Sequence, residues 1–471
     1  MTPAMILFMG LLAWGAVSPG PKVILYVLFA SIPFGMLAIV PPEWSAGFSL
    51  QASTMATIIL IGKVALSEGF FTRFLTNALV YRRVGLLAAF LFVTLITTLF
   101  SPRLFRGEIE VVSVNAIQFM QTEILAPSAT NISQFIYISV SVMAVFVFVD
   151  LFRRLEYRQS ALNALCFGAV ALIGTAIFDI VSWFAPLDTV RGWFITADYA
   201  LLFGAEMAGF RRITGLTSEA SAFGSTALAM GAALYFLRHA IDDPNIRRVI
   251  APLVAVTTLL LAFFSTSSAT YVGLAVFGLI ALYEWSLRLN RNMGLRAQAS
   301  LDTEAVLATT ILVAFLGVVA ASPQLLDPVV DLIDKAVFQK TSSSSFEERT
   351  FWTMKSLEAT LQTYGFGLGA GATRTSNGFI GVVAGAGFVG AFFYFAFVAR
   401  TFLAKPASPD GGLLIKGARF AWIPTFVVSL LVGTSMDFGV MNALLYALAI
   451  SAAQEMPARR VKSGALGPSY A

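Results

Sequence analysis

Ser342-Ser-Ser-Ser-Phe-Glu-Glu-Arg-Thr-Phe-Trp352 lies inside 323–378, the longest interval without a membrane span in a chain that is otherwise nearly all span. Ser345 followed three residues later by Glu348 is a capping-box pattern, in which each side chain satisfies an orphan backbone N–H at a helix start. The spacing predicts a helix over 346–363. On it Met354, Leu357, Leu361 and Tyr364 form an apolar row, and Arg349, Thr353, Ser356 and Thr360 a small polar row. Such an amphipathic helix is expected to lie against the membrane surface or the rest of the protein with one face wet. Arg349 falls in its first turn, where the macrodipole disfavours a cation by roughly 0.3–1 kcal/mol. Glu347 and Glu348 offset that, and an anionic ligand at the same end would reverse the sign.

The 471 residues around this stretch are 58% hydrophobic and only 12% charged, with a mean hydropathy of +0.80. No soluble domain needs that much apolar sequence, so the expected fold is an all-α polytopic membrane protein, a single integral membrane domain over 1–471. Apolar runs predict thirteen spans at 4–18, 23–40, 51–67, 84–100, 134–152, 160–183, 220–238, 248–264, 267–285, 303–321, 379–400, 418–433 and 437–453. The first two are short enough to be a hairpin or one span, hence about 12–13 transmembrane helices. A single cysteine, Cys166, excludes a disulfide framework, and a single histidine, His239, excludes a multi-histidine metal site. The net charge of +5 fits a cytoplasmic bias of basic residues and no nucleic-acid partner.

Arg82 and Arg83, Arg153 and Arg154, Arg247 and Arg248, and Lys405 and Lys416 fall in alternate loops, which the positive-inside rule makes cytoplasmic. The loops 101–133, 184–219 and 323–378 then face outward. They carry Arg103, Arg106, Arg191, Arg211, Arg212, Arg349 and Arg374 against the usual bias, so either ion pairing or binding of an external anion must account for them. Lys63, Asp179 and Asp437 lie near span ends. A mid-membrane relay of the kind an ion-coupled transporter uses is therefore not evident, which demotes transport.

Two glycine patterns flank the loop's end. Gly381 and Gly385 are spaced for close approach of another helix. Gly365, Gly367, Gly369 and Gly371 alternate in a run whose N–H groups would suit a phosphate nest, although a helix exit is the plainer reading.

The second informative stretch is Phe210-Arg-Arg-Ile-Thr-Gly-Leu-Thr-Ser-Glu-Ala-Ser-Ala-Phe-Gly224. It places two cations and a carboxylate at one membrane surface, with Glu219 in the first turn of the next helix, either as a structural salt bridge to Arg211 or Arg212 or as part of a site. Ser-Thr-Ser-Ser-Ala-Thr-Tyr-Val-Gly follows at 265–273. Arg349 then has fifteen residues before Gly365, and Gly367-Leu-Gly369 precedes Ser376-Asn377-Gly378. In this order the motifs resemble those of the O-antigen ligase and Wzy-type polysaccharide polymerase superfamily, membrane glycosyltransferases of the GT-C type. The motif likeness covers about 210–390, and the layout likeness the whole chain. Ligases carry a histidine in the large outer loop, whereas His239 sits at a cytoplasmic helix end, which favours the polymerase. The short loop often reads Ser-Arg-Gly in the family, and Ala269 or Thr270 stands where that arginine would be.

The resemblance implies polymerisation of undecaprenyl-pyrophosphate-linked repeat units into O-antigen, capsule or exopolysaccharide at the periplasmic face of a bacterial inner membrane. It implies no metal and no cofactor; the partners would be the lipid-linked donor and acceptor glycans, membrane lipid and a chain-length regulator. Arg212 and Arg349 would stabilise the departing pyrophosphate, with Arg211 and Arg374 as further pyrophosphate contacts and Glu219 as the base for the acceptor hydroxyl. The alternatives are a ligase moving a finished chain to lipid A core or protein, and a lipid-linked glycan flippase.

Overall fold

The computed structural model describes residues 1–40, 49–80, 84–114, 120–197, 206–207, 210–289 and 344–454, with scattered positions between 301 and 317. Among them the α-helices are α1 (Pro3–Val17), α2 (Lys22–Ser31), α3 (Ala52–Ala65), α4 (Phe70–Leu79), α5 (Leu86–Leu104), α6 (Ala129–Leu151), α7 (Leu155–Val181), α8 (Asp188–Gly192), α9 (Ala220–Leu237), α10 (Ala251–Phe264), α11 (Ser268–Leu289), α12 (Ser344–Gln362), α13 (Gly378–Phe402), α14 (Pro409–Val432) and α15 (Gly439–Gln454). Two short antiparallel hairpins complete the order: β1 (Glu110–Val111) with β2 (Glu123–Ile124), and β3 (Glu206–Met207) with β4 (Phe210–Arg211).

Eight helices, namely α5, α6, α7, α9 with the 3-10 turn that carries it to Ala240, α10 with the π-helical turn that starts it at Ile246, α11, α13 and α14, are long and apolar enough to cross a membrane, and α3 and α4, bent by 107°, make a ninth candidate as a broken pair. The architecture is therefore that of an all-α, multi-pass membrane protein. The count among the described residues is lower than the expected 12–13 for two reasons. Helices α1, α2 and α15 are shorter than the ~20 residues that span a bilayer core. Of residues 303–321 only 304–306, 309, 310, 313 and 317 are described. The span expected at 23–40 stops at Ser31, just before Ile32-Pro33, where the proline disfavours helical backbone in the residue ahead of it.

Packing follows from small residues. Gly231 of α9 faces Leu259 of α10, and Gly273 of α11 faces Leu228 and Val428, so α9, α10, α11 and α14 close on one another with little side chain between them. Gly381 and Gly385 of α13 are approached as well, but by Ser435 and Met436 of the α14–α15 turn rather than by the helix that their spacing suggests.

Helix α13 is broken at Gly387, whose backbone (φ 69°, ψ 178°) leaves the helical region. The glycine run closes that break. Leu368 N–H donates to the Ala384 carbonyl at 2.7 Å, Phe388 N–H to the Gly365 carbonyl at 2.9 Å, and the Thr97 hydroxyl of α5 to the Gly385 carbonyl at 3.1 Å. Ala370 N–H donates to Thr98 of α5 and the Ala370 carbonyl accepts from Asn131 of α6. Residues 365–372 are thus a strap wedged between α5, α6 and α13, satisfying backbone groups that a break inside a membrane would leave bare. Its amides at Gly365, Gly367, Leu368 and Ala370 are engaged within the protein, so the run is a helix exit and not a phosphate nest. Gly367 needs its glycine: φ is +90°, and a Cβ there would stand 2.4 Å from Gly387 N.

Helix α12 forms, but begins at Ser344, two residues before the expected start. Ser345 is therefore inside the first turn rather than at its N-cap, and the residues ahead lie outside the described ones. Its faces are also turned the other way. Ser356 and Thr360 are fully buried, whereas Met354, Leu361 and Tyr364 are 59%, 57% and 85% exposed. Thr353 and Ser356 bind residues 373–376, and Tyr364 and Phe366 flank the exposed Phe388, Val389 and Phe392 surface of the span α13. The small polar row is the inner face.

At the end of the bundle that carries α12, the loop between α5 and α6 meets α12 and the loop between α12 and α13. Arg374 N–H donates to the Val112 carbonyl at 2.7 Å and Lys355 pairs with Glu110 at 3.3 Å. The other end carries Arg73 paired with Asp150 and, around buried Arg238 and Arg288, the carboxylates of Glu284 and Glu304.

Candidate functional site

Asp179, buried near the end of α7, organises one wall. One of its oxygens takes the guanidinium of buried Arg191; the other accepts from Thr214 N–H at 2.7 Å, the Thr214 hydroxyl at 3.0 Å and Gly215 N–H at 2.9 Å. Arg191 is accordingly accounted for by ion pairing. The same carboxylate fixes the turn between β4 and α9, and so the direction in which Arg212 leaves it.

Arg212 reaches the short turn between α10 and α11. Its Nε donates to the Thr266 hydroxyl at 3.0 Å and the Ser265 carbonyl at 3.3 Å, and its NH2 group to the Thr266 carbonyl at 3.4 Å. Thr266 holds φ +50°, a left-handed conformation that a β-branched residue adopts only when its surroundings enforce it. The segment 265–273, which has no arginine of its own, thus serves to hold an arginine from elsewhere.

Glu219 is the N-cap residue of α9, one position earlier than the first turn expected for it, but its side chain caps no backbone N–H and instead accepts from the Ser221 hydroxyl. Among the described residues it makes no direct ion pair with Arg211 or Arg212. The two adjacent arginines part company, because β4 turns Arg211 over the Trp183 ring, 4.8 Å from its centroid.

Arg349 occupies the second turn of α12, a consequence of the earlier helix start, and its guanidinium makes no hydrogen bond or ion pair with a described residue. Arg374 is held by its backbone between Val112 and Ser356, whose hydroxyl donates to the Arg374 carbonyl at 2.9 Å, and its guanidinium lies 4.0 Å from the centroid of buried Trp352.

These residues share one electrostatic environment. Burial lowers the Arg212 pKa, the Glu219 carboxylate and Tyr271 oppose that, and the charge of Arg349 adds to it. Burial lowers Arg374 likewise, with Glu219 and Glu348 opposing and Arg349 again adding. Arg212 and Arg374, drawn from separate segments, therefore each lie within electrostatic range of Arg349 and of Glu219. Three guanidiniums against two carboxylates leave an excess of positive charge, partly desolvated, which is the condition under which charge interactions are strongest. Beneath Arg374 a cavity of about 170 Å3 opens between the strap, Gly381 and Gly385 of α13, and Thr434, Ser435 and Met436.

Neither a family model nor a curated protein matches this chain.

Asp179 and the Ser265–Thr266 turn emerge as positioning groups that reasoning along the sequence did not single out. The short loop was legible only as part of a motif order, and Asp179 only as a carboxylate near a span end. Trp183 and Trp352 each carry an arginine over the ring, Arg211 and Arg374 respectively.

Proposed function

We propose that the protein is a membrane glycosyltransferase of the Wzy type that lengthens undecaprenyl-pyrophosphate-linked glycans at the periplasmic face of the inner membrane. The observation that supports this reading is that Arg212 and Arg374, from separate loops, each lie within electrostatic range of Arg349 and of Glu219. A pyrophosphate departing from an anomeric carbon takes the bonding electron pair with it, and planar guanidiniums suit its oxygens by bidentate hydrogen bonding. In this reading Glu219 takes the proton of the attacking sugar hydroxyl as the new C–O bond forms. Arg349, with no partner among the described residues, is the donor most available to the leaving group. Arg212 and Arg374 flank it on rigid supports, as electrostatic preorganisation requires.

The test is reconstitution in lipid vesicles with lipid-linked oligosaccharide repeat units. The wild type should produce a ladder of lengthened glycan on its own carrier, and Arg212→Ala and Arg349→Ala should each lower the rate by about 10²–10³-fold, as expected when one stabilising donor is lost. A normal ladder from either variant would remove that arginine from the site. Product appearing only with a different acceptor would make the protein a ligase, and movement across the bilayer with no new glycosidic bond a flippase.

A further inference from the structure

A second cleft, of about 320 Å3, lies between α13, α14 and the start of α15, and shares its Thr434-Ser435-Met436 wall with the cavity beneath Arg374. Its lining is acceptor-rich. The Thr425 and Ser429 hydroxyls each donate to a carbonyl three residues back in α14, so what they offer the cleft is oxygen lone pairs. Asp437 accepts from Gly439 N–H at 3.1 Å and from the Ser141 hydroxyl, which leaves further lone-pair sites on its two oxygens. Flat apolar surface completes the lining, in Trp422 and Phe426, stacked with centroids 4.4 Å apart.

Other classes of ligand fit poorly. An anion would meet the Asp437 carboxylate, a prenyl or acyl chain would shut that carboxylate off from water and bring no donor for its remaining lone pairs, and a metal cation would find a single carboxylate where hard cations need six or more oxygens. A pyranose carries several hydroxyl donors on its rim and an apolar C–H face. The volume is at the small end of the ~300–1,000 Å3 usual for ligand pockets, suited to a short sugar segment.

We propose that this cleft is a sugar-binding subsite for the acceptor glycan, with Asp437 accepting hydrogen bonds from ring hydroxyls and Trp422 and Phe426 covering a ring face. Only the word acceptor rests on the glycosyltransferase reading; the sugar site stands on the cleft itself. Burial pushes the Asp437 carboxyl up from its ordinary value, against its two hydrogen bonds, and hydroxyl donors from a ligand would favour its ionised form as those bonds do.

Saturation-transfer NMR on the full-length protein in detergent, with free hexoses and N-acetylhexosamines as probes, tests this. At least one sugar should receive saturation through its C–H face. Asp437→Asn should weaken its binding about tenfold, as expected for loss of a hydrogen bond to a charged group. Thr425→Phe, which fills the cleft without removing a buried partner, should abolish binding, and it decides the matter if Asp437→Asn does not fold. Arg349→Ala should bind sugar as the wild type does. No binding of any probe to the wild type, or wild-type binding by Thr425→Phe, overturns the proposal, as does loss of binding in Arg349→Ala, which would move the sugar to the arginine cluster. Sugar binding without a ladder in the vesicle assay would leave this subsite standing and end the enzymatic reading.

Discussion

At the scale of single residues, the two carboxylates Asp179 and Glu219 have separable roles. Asp179 is a keystone that neutralises buried Arg191 and takes three donors of the turn before α9. Asp179→Ala leaves the Arg191 charge buried without its partner, so it should cost about 3–5 kcal/mol, read as a lowered Tm of the detergent-solubilised protein, together with loss of glycan elongation. Glu219→Gln keeps shape and hydrogen-bonding capacity. It should leave Tm unchanged and abolish elongation; full activity would remove Glu219 as the base. Arg212, Arg349 and Arg374 stood out in the sequence because basic residues opposed the topological bias there. Asp179 did not, since a carboxylate near a span end reads the same whether it meets water or folds over a loop.

At the scale of elements, α12 shows how a membrane changes the meaning of an amphipathic pattern. The period of 3.6 was legible, but not which face turns inward. Lipid is as apolar as a protein core, so an apolar row may face outward while small hydroxyl-bearing residues pack inside. Ser356 is the hinge of this arrangement. Ser356→Val should strip the donor from the Arg374 carbonyl, at about 1–3 kcal/mol for the buried group left unsatisfied. Elongation should fall while membrane insertion stays normal, and unchanged rate and Tm would dissociate α12 from the site. In the strap, Gly367→Ala places a Cβ against Gly387 N at positive φ. It should destabilise by at least about 1 kcal/mol, seen as a Tm loss that alanine at the unhindered Gly10 or Gly174 does not reproduce.

At the scale of the whole molecule, Arg212, Arg349 and Arg374 lie at one end of the helices and the ion-paired Arg73, Arg238 and Arg288 at the other. In a Cys166→Ala background, a cysteine at exposed Glu347 should react with a membrane-impermeant maleimide added outside the cell. One at Arg153 should react only after lysis. The reverse pattern would put the cluster in the cytoplasm and end the proposed reading. The sequence by itself determined that the chain is a helical membrane protein, roughly where most of its spans run, and which arginines needed an explanation, because hydropathy and charge bias act locally along the chain. Only the tertiary structure decided that Arg212 and Arg374 lie within electrostatic range of Arg349 while Arg211 turns to Trp183, that the glycine run is a strap, and that α12 faces inward with its hydroxyls. Each of those depends on which distant backbone groups need a hydrogen-bond partner where water is scarce, and that requirement is not written in any one stretch of residues.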